Sequence, residues 1–147
     1  MLAKYWRLHL KNSTGQTLTY NSAARISVRI SPWKLVGGVL TYGTTITDDM
    51  GFGAGETIAN AAVVEGTVQD NTSNLYWGIN GFYSVIHDVA AADGYVYLYI
   101  EESDDNTNWP SDLTIFNVDL HAKLIATIDL DNTDVDQSHG VNFWWGG

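Results

Sequence analysis

Regular alternation of apolar and polar residues is the feature that most restricts how this chain can fold. Apolar residues occupy every second position in four segments, at 4–11, 25–30, 95–102 and 123–130. A period of two is typical of β-strands with one buried face, because successive side chains point to opposite sides of a strand. The pattern therefore predicts a protein built largely from half-buried strands.

The segments between these four also favour β-structure. Composition predicts further strands at 16–20, 37–45, 63–69, 75–86, 113–119 and 140–145. Clusters of Asp, Asn, Ser, Thr and Gly separate them and favour tight turns, while evidence for helix is limited to alanine-containing stretches at 54–62 and 85–92. We therefore expect an all-β fold, an antiparallel β-sandwich of jelly-roll or Greek-key type with little helix. The 147 residues show no linker or repeat, which predicts a single domain over 1–147.

Charge is distributed unevenly along the chain. The net charge is −10, which disfavours binding to nucleic acid. Six of the seven basic residues nevertheless fall within the first 34 positions, and the first acid is Asp48. If the first two long strands share a sheet, Arg7, Lys11, Arg25 and Arg29 form a basic face for a partner, and exchange of Arg25 and Arg29 for Glu should weaken assembly. Pairing of these bases with acids of the same chain is the alternative.

Several classes of protein and chemistry are disfavoured by what the sequence lacks. The chain has no cysteine, which excludes disulfides and thiolate chemistry. No apolar run approaches the roughly 20 residues of a membrane-spanning helix, and the first residues lack the apolar core of a signal peptide. We therefore expect a soluble protein made in the cytoplasm, without a membrane partner.

Residues that could carry out catalysis do not form a recognisable set. None of the four histidines (His9, His87, His121 and His139) has another at metal-ligand spacing, and we interpret them as surface or turn residues. Nucleophile motifs are absent, and the neighbouring Glu101 and Glu102 point to opposite faces of a strand. The sequence therefore predicts a protein that is not an enzyme and needs no cofactor.

An acidic loop near the C-terminus is a weak candidate for calcium binding. Calcium prefers six to eight oxygen ligands, which clustered Asp side chains can supply. The loop lacks the glycine that an EF-hand needs at its sixth position, and Asp is also an ordinary turn residue. The candidate ligands are Asp129, Asp131, Asp134 and Asp136.

Aromatic residues suggest where a partner could bind. Tyr95, Tyr97 and Tyr99 share one face of a predicted strand, which is either a second covered face or a contact surface for protein or sugar. The chain ends in Trp144 and Trp145, followed by two glycines. This segment is either the last strand of the core or a tail that docks on a neighbour. We favour docking, because the two indoles cannot both point inwards from one strand.

The segment 101–112 has a distinctive hairpin pattern. Ser103, Asp105 and Trp109 are spaced similarly to the Asp-box hairpin, Ser-x-Asp-x-Gly-x-Thr-Trp, although the glycine is missing and the tryptophan comes one residue early. In that hairpin the aspartate bonds to backbone and the tryptophan packs on the sheet. With the strand from Gly94 before it and the closing strands ending at Phe143 after it, this region resembles small β-sandwich virion proteins of tailed bacteriophages.

The resemblance implies a function carried out by surfaces. Such proteins occur as capsid decoration (cement) proteins and as tail or adaptor components. It implies a non-enzymatic virion protein, assembled in the host cytoplasm, that bridges capsid subunits through its N-terminal strands and C-terminal tail. Its partners would be the major capsid protein or other virion subunits, and further copies of itself in a homo-oligomer. We expect Arg7, Lys11, Arg25, Arg29, the three tyrosines, Trp109, Trp144 and Trp145 to make these contacts.

Two other functions remain open from the sequence alone. A carbohydrate-binding module could use Trp33, Trp77 or Trp109 as stacking platforms, with acidic loops for hydroxyls or calcium. A glycan hydrolase is the least favoured, because no carboxylate pair stands out and a chain of 147 residues leaves little room for a deep cleft.

Overall fold

A computed structural model describes residues 1–20, 25–48, 50, 55–114, 117–133 and 135–146. Helical structure in these ranges consists of a 3₁₀ turn at Pro110–Asp112 and the short helix α1 (Val118–His121). The strands are β1 (Tyr5–Ser13), β2 (Leu18–Thr19), β3 (Arg25–Val36), β4 (Val39–Tyr42), β5 (Ile46–Asp48), β6 (Thr57–Ile58), β7 (Val63–Glu65), β8 (Gln69–Asp70), β9 (Gly78–Ile86), β10 (Gly94–Ser103), β11 (Lys123–Leu130) and β12 (Ser138–Gly146).

Two antiparallel sheets pack against each other, which confirms the predicted all-β sandwich. Sheet 1 has the strand order β11-β10-β1-β7, and β8 also pairs with β1. Sheet 2 has the order β12-β9-β3-β4, and β5 also pairs with β3. A small ribbon of β2 and β6 lies outside both sheets.

The strand order is of the jelly-roll type. β4 and β5 pair with successive stretches of β3, and β7 and β8 do the same along β1, so each sheet has four strand positions. The eight positions have the same neighbours as the eight strands of a jelly roll. The chain order differs in one respect, because the strands in the positions of the last two jelly-roll strands, β1 and β3, come first in the sequence. β1 is therefore a central strand of its sheet.

The core between the sheets is formed by the apolar series of the alternating segments. In β1 and β3, for example, Leu8, Leu10, Val28 and Ile30 are at most 1% exposed. The alternation is confirmed in each of the four segments, with Leu124 in β11 as an exposed exception. The other buried members from these strands are Trp6, Ile26, Val96, Leu98, Ile100, Ala126, Ile128 and Leu130.

The predicted strand at 113–119 is wrong. Residues 115 and 116 of this segment lie outside the described residues. Residues 113 and 114 follow the 3₁₀ turn, and 117–119 are the N-cap and first residues of α1, where the Asn117 side chain accepts a hydrogen bond from the backbone N–H of Asp119. The turn begins at Pro110, which has no N–H for a sheet, and Asp112 accepts a hydrogen bond from the backbone N–H of Trp109. Local capping therefore outweighs the strand-forming composition.

The two suggested helical stretches are also wrong where the structure describes them. Of 54–62, residue 54 lies outside the described residues, and the rest contains strand β6 without a helical turn. The stretch 85–92 begins as the end of β9 and continues as a loop. Alanine content alone is a weak signal for helix, because tertiary pairing overrides it.

The loop that joins β10 to β11 covers the outer side of sheet 1. Tyr99 of that sheet packs with Val118 of α1 and with Ala122, the residue after α1, and all three are buried. Sheet 1 is therefore covered on both sides over this region. The outer side of sheet 2 carries exposed Phe82 and Trp144, so it offers the more accessible surface.

Exchange of Tyr83 for Phe should stabilise the protein. Tyr83 is fully buried, and its hydroxyl has no hydrogen-bond partner among the described residues. Burial raises the pKa of this hydroxyl well above its usual value. Because an unpaired buried hydroxyl destabilises the fold, we expect Tyr83→Phe to raise the free energy of unfolding by about 1 kcal/mol in urea denaturation. The exposed Tyr95→Phe is the control, and a loss of stability in Tyr83→Phe would contradict the prediction.

Candidate functional site

The first two long strands do not form one basic face. β1 lies in sheet 1 beside β10, whereas β3 lies in sheet 2 beside β9. The condition for a shared face of Arg7, Lys11, Arg25 and Arg29 is therefore not met, and that expectation is wrong. The two pairs of bases have to be considered separately.

Arg7 belongs to a buried network of charges on sheet 1. Its Nε donates to Glu101 Oε2 at 2.8 Å, and its Nη1 lies 2.9 Å from Glu65 Oε2. His9 Nε2 donates to the same Glu101 oxygen at 2.8 Å, and the hydroxyl and backbone N–H of Ser111 also donate to this carboxylate. The side chains of His9 and Glu101 are completely buried. These contacts hold the loop after β10 on the sheet.

The electrostatics of this network favour an ionised carboxylate. Burial on its own would raise the pKa of Glu101, but hydrogen bonds from His9, Arg7 and Ser111 outweigh it and lower the pKa to about 2. The Arg7 guanidinium also lies over the Trp109 ring, 4.4 Å from its centre. Trp109 itself is only 8% exposed. Arg7 and Trp109 are therefore used within the chain.

The interpretation of the histidines as surface or turn residues is wrong for His9, which lies within β1, whereas His87 lies in the loop after β9 but is not at the surface. His9 is completely buried in the network described above, and His87 is 1% exposed. His9 stands in the polar series of β1, but the β10–β11 loop covers that side of the strand. Burial on both faces cannot be read from the alternation of a single strand.

Lys11 and Tyr99 fix α1 to sheet 1. Lys11 Nζ and the Tyr99 hydroxyl donate to the two carboxylate oxygens of Asp119. Hydrogen bonds from Lys11 and then Tyr99 lower the pKa of Asp119 below its usual value. Tyr97 stacks on Tyr95, and Tyr95 is 44% exposed. The tyrosine series therefore runs from a covered end at Tyr99 to an exposed end at Tyr95.

The acidic turn after β10 has the contacts of the hairpin that it resembles in sequence. Asp105 Oδ1 accepts hydrogen bonds from the backbone N–H groups of Thr107 and Asn108 at 2.9 and 2.8 Å. These and the amide of Asn108 lower the pKa of Asp105. Trp109 is buried against the guanidinium of Arg7 from β1, so this segment has a structural role.

The C-terminal residues form a strand, and the docking tail that we favoured is not observed. Residues up to Gly146 pair with β9 as strand β12, and Phe143 is buried in the core. Trp145 packs against the core and lies under Lys123 Nζ, 4.9 Å from the ring centre. Trp144 points to the other side, where it stacks on Trp33 at 4.7 Å between ring centres. Trp144 thus packs outside the core, against another residue of its own chain.

The outer face of sheet 2 contains an open groove, which we call the outer-face groove. Its volume is about 660 Å³, within the range of roughly 300–1,000 Å³ typical of small-molecule sites. Phe82 is 41% exposed and Trp144 is 51% exposed. The side chains that line it are those of Arg29, Ser31, Thr45, Asn80, Phe82, Asn142, Phe143 and Trp144.

Arg25 and Arg29 give this face a positive charge. Both are exposed and make no ion pair with any residue that the structure describes. On the outward side of β3, β9 and β12 the described residues include no acid. A cationic face is unusual in a chain whose net charge is −10. Of the four bases expected to contact a partner, these two remain accessible.

A second accessible feature is the β3–β4 hairpin, which we call the apolar hairpin. Its turn is formed by Gly37 and Gly38, both with positive φ (57° and 82°), a conformation that favours glycine. Its exposed side chains are Leu35 (40%), Val36 (54%), Val39 (66%), Leu40 (41%) and Tyr42 (50%). Leu35 pairs with Leu40, and Val36 pairs with Val39, so successive pairs place apolar groups on both faces.

Sequence reasoning missed both the hairpin and part of the groove. Consecutive apolar residues on each side of Gly37-Gly38 are a signal for a two-sided apolar hairpin, because unbroken runs leave no polar face. The sequence around Asn80 and Phe82 does not indicate a binding site. These residues come close to Arg29 and Trp144 only because β9 pairs with β3 and β12. Trp33 is buried beneath Trp144, and Trp77 is half-buried.

The described residues were compared with the requirements of a metal site and of a membrane-spanning helix. Asp134 of the calcium candidate lies outside the described residues. Asp131 accepts two hydrogen bonds from Thr133, and the described His, Asp and Glu side chains form no group of three that could hold a metal ion. No helix in the described part of the chain is long and apolar enough to cross a membrane.

Comparisons with protein-family models, with curated proteins and with solved structures found no match for this chain. The sequence resemblance and the geometry of sheet 2 are therefore the two indications of function.

Proposed function

We propose that this chain is a non-enzymatic structural protein of a tailed-phage virion, a capsid decoration protein that docks on the head through the apolar hairpin. The hairpin is the observation that carries the proposal, because it exposes five large apolar side chains in one short segment. Contiguous exposed apolar surface is typical of protein interaction sites. The resemblance of residues 94–143 to small virion proteins supports the choice of partner.

The shape of the hairpin favours insertion into a neighbouring capsid subunit. β4 pairs with β3 alone, so its other edge is free among the described strands. Leu35 and Leu40 lie on one face of the hairpin, whereas Val36 and Val39 lie on the other. A cleft in a partner can cover both faces, whereas a flat two-fold contact between copies covers only one. Because the hairpin is not suited to a contact between two free copies, we expect the homo-oligomer to form only when several copies are bound to the capsid.

Arg25 and Arg29 add an electrostatic part to this proposal. They lie on the outer face of the strand that continues into the hairpin. Complementary charge speeds the encounter of two proteins and orients it. Exchange of both for Glu is therefore still expected to weaken assembly and leave the fold intact. Arg7 and Lys11 no longer belong to this expectation, since they hold loops of their own chain.

Exchange of Val39 for Asp should prevent docking without unfolding the protein. A charge at the hairpin tip would have to be buried in the partner, so we expect at least a tenfold loss of affinity, about 1.4 kcal/mol. The assay is co-sedimentation with empty heads of a phage that encodes the chain. Leu120→Asp is the matched control, because Leu120 is 77% exposed on α1, on the side of sheet 1.

The same assay tests the alternatives. Binding to isolated tails instead of heads would favour the tail or adaptor function. If the native protein binds neither heads nor tails, or if Leu120→Asp binds as poorly as Val39→Asp, the decoration proposal is wrong. Light scattering of the free protein gives its oligomeric state independently.

A further inference from the structure

We infer that the outer-face groove binds an acidic saccharide, with Trp144 and Phe82 contacting the sugar ring and Arg29 pairing with its carboxylate. This inference goes beyond docking on a capsid. It rests on the outer-face groove and not on the apolar hairpin, although both proposals use Arg29. A sugar ring has an apolar C–H face, hydroxyls around its rim and, in uronic acids, one carboxylate. The groove provides a counterpart for each of these.

The aromatic part of the groove is held in place from below. Trp144 stacks on the buried Trp33 with 4.7 Å between ring centres and 28° between ring planes. Half of its surface nevertheless stays exposed. Phe82 is exposed on the neighbouring strand β9, and Asn80 lies between Ser31 and Trp144 in the pairing of the strands. An aromatic side chain supported in this way presents a rigid apolar surface at little entropic cost.

The polar part of the groove includes an atom without a partner. Asn80 Oδ1 is buried and has no hydrogen-bond partner among the described residues. Such an atom destabilises the free protein, because it gives up its hydrogen bonds to water on folding and gains none in return. A sugar hydroxyl that donates to Asn80 after a small rotation of its amide would remove this cost. Ser31 and Asn142, which also line the groove, can bond to further hydroxyls.

Charge selects an acidic sugar over a neutral one. Arg29 is the charged residue among the described side chains that line the groove, and it has no acidic partner there. A guanidinium donates two parallel hydrogen bonds to a carboxylate, which fixes both position and orientation. Since the chain as a whole is acidic, other surfaces would repel the same ligand. Charge complementarity therefore localises an acidic saccharide to this face.

The test is a titration of the full chain with trigalacturonate. Binding is measured by isothermal calorimetry and, independently, by the change in tryptophan fluorescence. We expect saturable binding that Arg29→Gln and Trp144→Ala each weaken at least about tenfold. Trp144→Phe keeps an aromatic ring and should retain most of the affinity. Arg25→Gln is the matched control, because it removes the same charge from the same strand outside the groove, and it should bind like the native chain.

Several results would overturn the inference. Equal affinity for a neutral galactose trisaccharide would remove the role of Arg29, and equal losses in Arg25→Gln and Arg29→Gln would indicate general charge attraction. Absence of saturable binding up to about 10 mM would exclude the site. If Arg29→Gln weakened only the binding to phage heads, the groove would be a protein contact. Failure of the sugar titration leaves the Val39→Asp result unaffected, so the two proposals can fail separately.

Discussion

Glu101→Gln is expected to lower the free energy of unfolding by about 3 kcal/mol at pH 7, as is typical when one partner of a buried ion pair is removed. The amide keeps the shape of the side chain but loses the charge that faces Arg7 and His9. Arg7 retains Glu65 at 2.9 Å, which keeps the expected loss at the lower end of the usual range. Urea denaturation followed by tryptophan fluorescence measures it.

The pH dependence gives this prediction a second readout. The folded pKa of Glu101 is about 2, below its usual value of 4.5. A carboxyl with a lowered pKa stabilises the fold above its unfolded pKa, and that contribution disappears as pH falls through the folded value. The native chain should therefore lose its advantage over Glu101→Gln between about pH 4.5 and pH 2.

The neighbouring Glu102→Gln is the matched control. Glu102 accepts a hydrogen bond from the backbone N–H of Ala3 at 2.9 Å and lies 3.6 Å from the exposed Lys123. An amide oxygen can still accept the first bond, and a surface ion pair contributes less than about 1 kcal/mol. A similar loss in both variants, or a difference that persists at pH 2, would contradict the role assigned to Glu101.

Gly81→Ala is expected to destabilise the protein by about 3 kcal/mol, because added atoms in a close-packed sandwich force the backbone to shift. A Cβ at Gly81 would lie 2.1 Å from the backbone oxygen of Arg29 and 2.7 Å from the Phe143 ring. Backbone from β3 and a core ring from β12 thus meet at this glycine. Thermal and urea unfolding measure the loss.

Gly15→Ala separates steric crowding from backbone conformation. Gly15 has a φ of +77° but no atom within 4 Å of an added Cβ. Its substitution should therefore cost only about 1 kcal/mol, the penalty of a left-handed conformation. The prediction for Gly81 is contradicted if its variant is as stable as Gly15→Ala.

The fold could be predicted from local pattern because β-strands couple sequence period to burial. Alternation indicates that one face of each strand points to the core. The residues that it assigns to this face in β1 and β3 are indeed buried, namely Leu8, Leu10, Val28 and Ile30. At 113–119 the composition predicts a strand, but Pro110 and the cap at Asn117 produce a turn and a short helix. There, local hydrogen bonding outweighed strand-forming composition.

The candidate site could be predicted only in part. Arg29 and Trp144 were expected to contact a partner, and both lie accessibly on sheet 2. Arg7 and Lys11 have the same chemistry but are held by Glu101 and Asp119, more than 90 residues away in sequence. No local pattern reports a contact of that separation.

The sequence by itself therefore determined that the chain forms a β-sandwich and which side of each long strand faces its core. That information is local, because the period of two is a property of each strand. The tertiary structure decided which outward faces stay open. The β10–β11 loop covers sheet 1 with Trp109 and α1, whereas strand pairing brings Arg29, Phe82 and Trp144 together on sheet 2. Loop placement and strand neighbours are long-range properties, and only the folded chain establishes them.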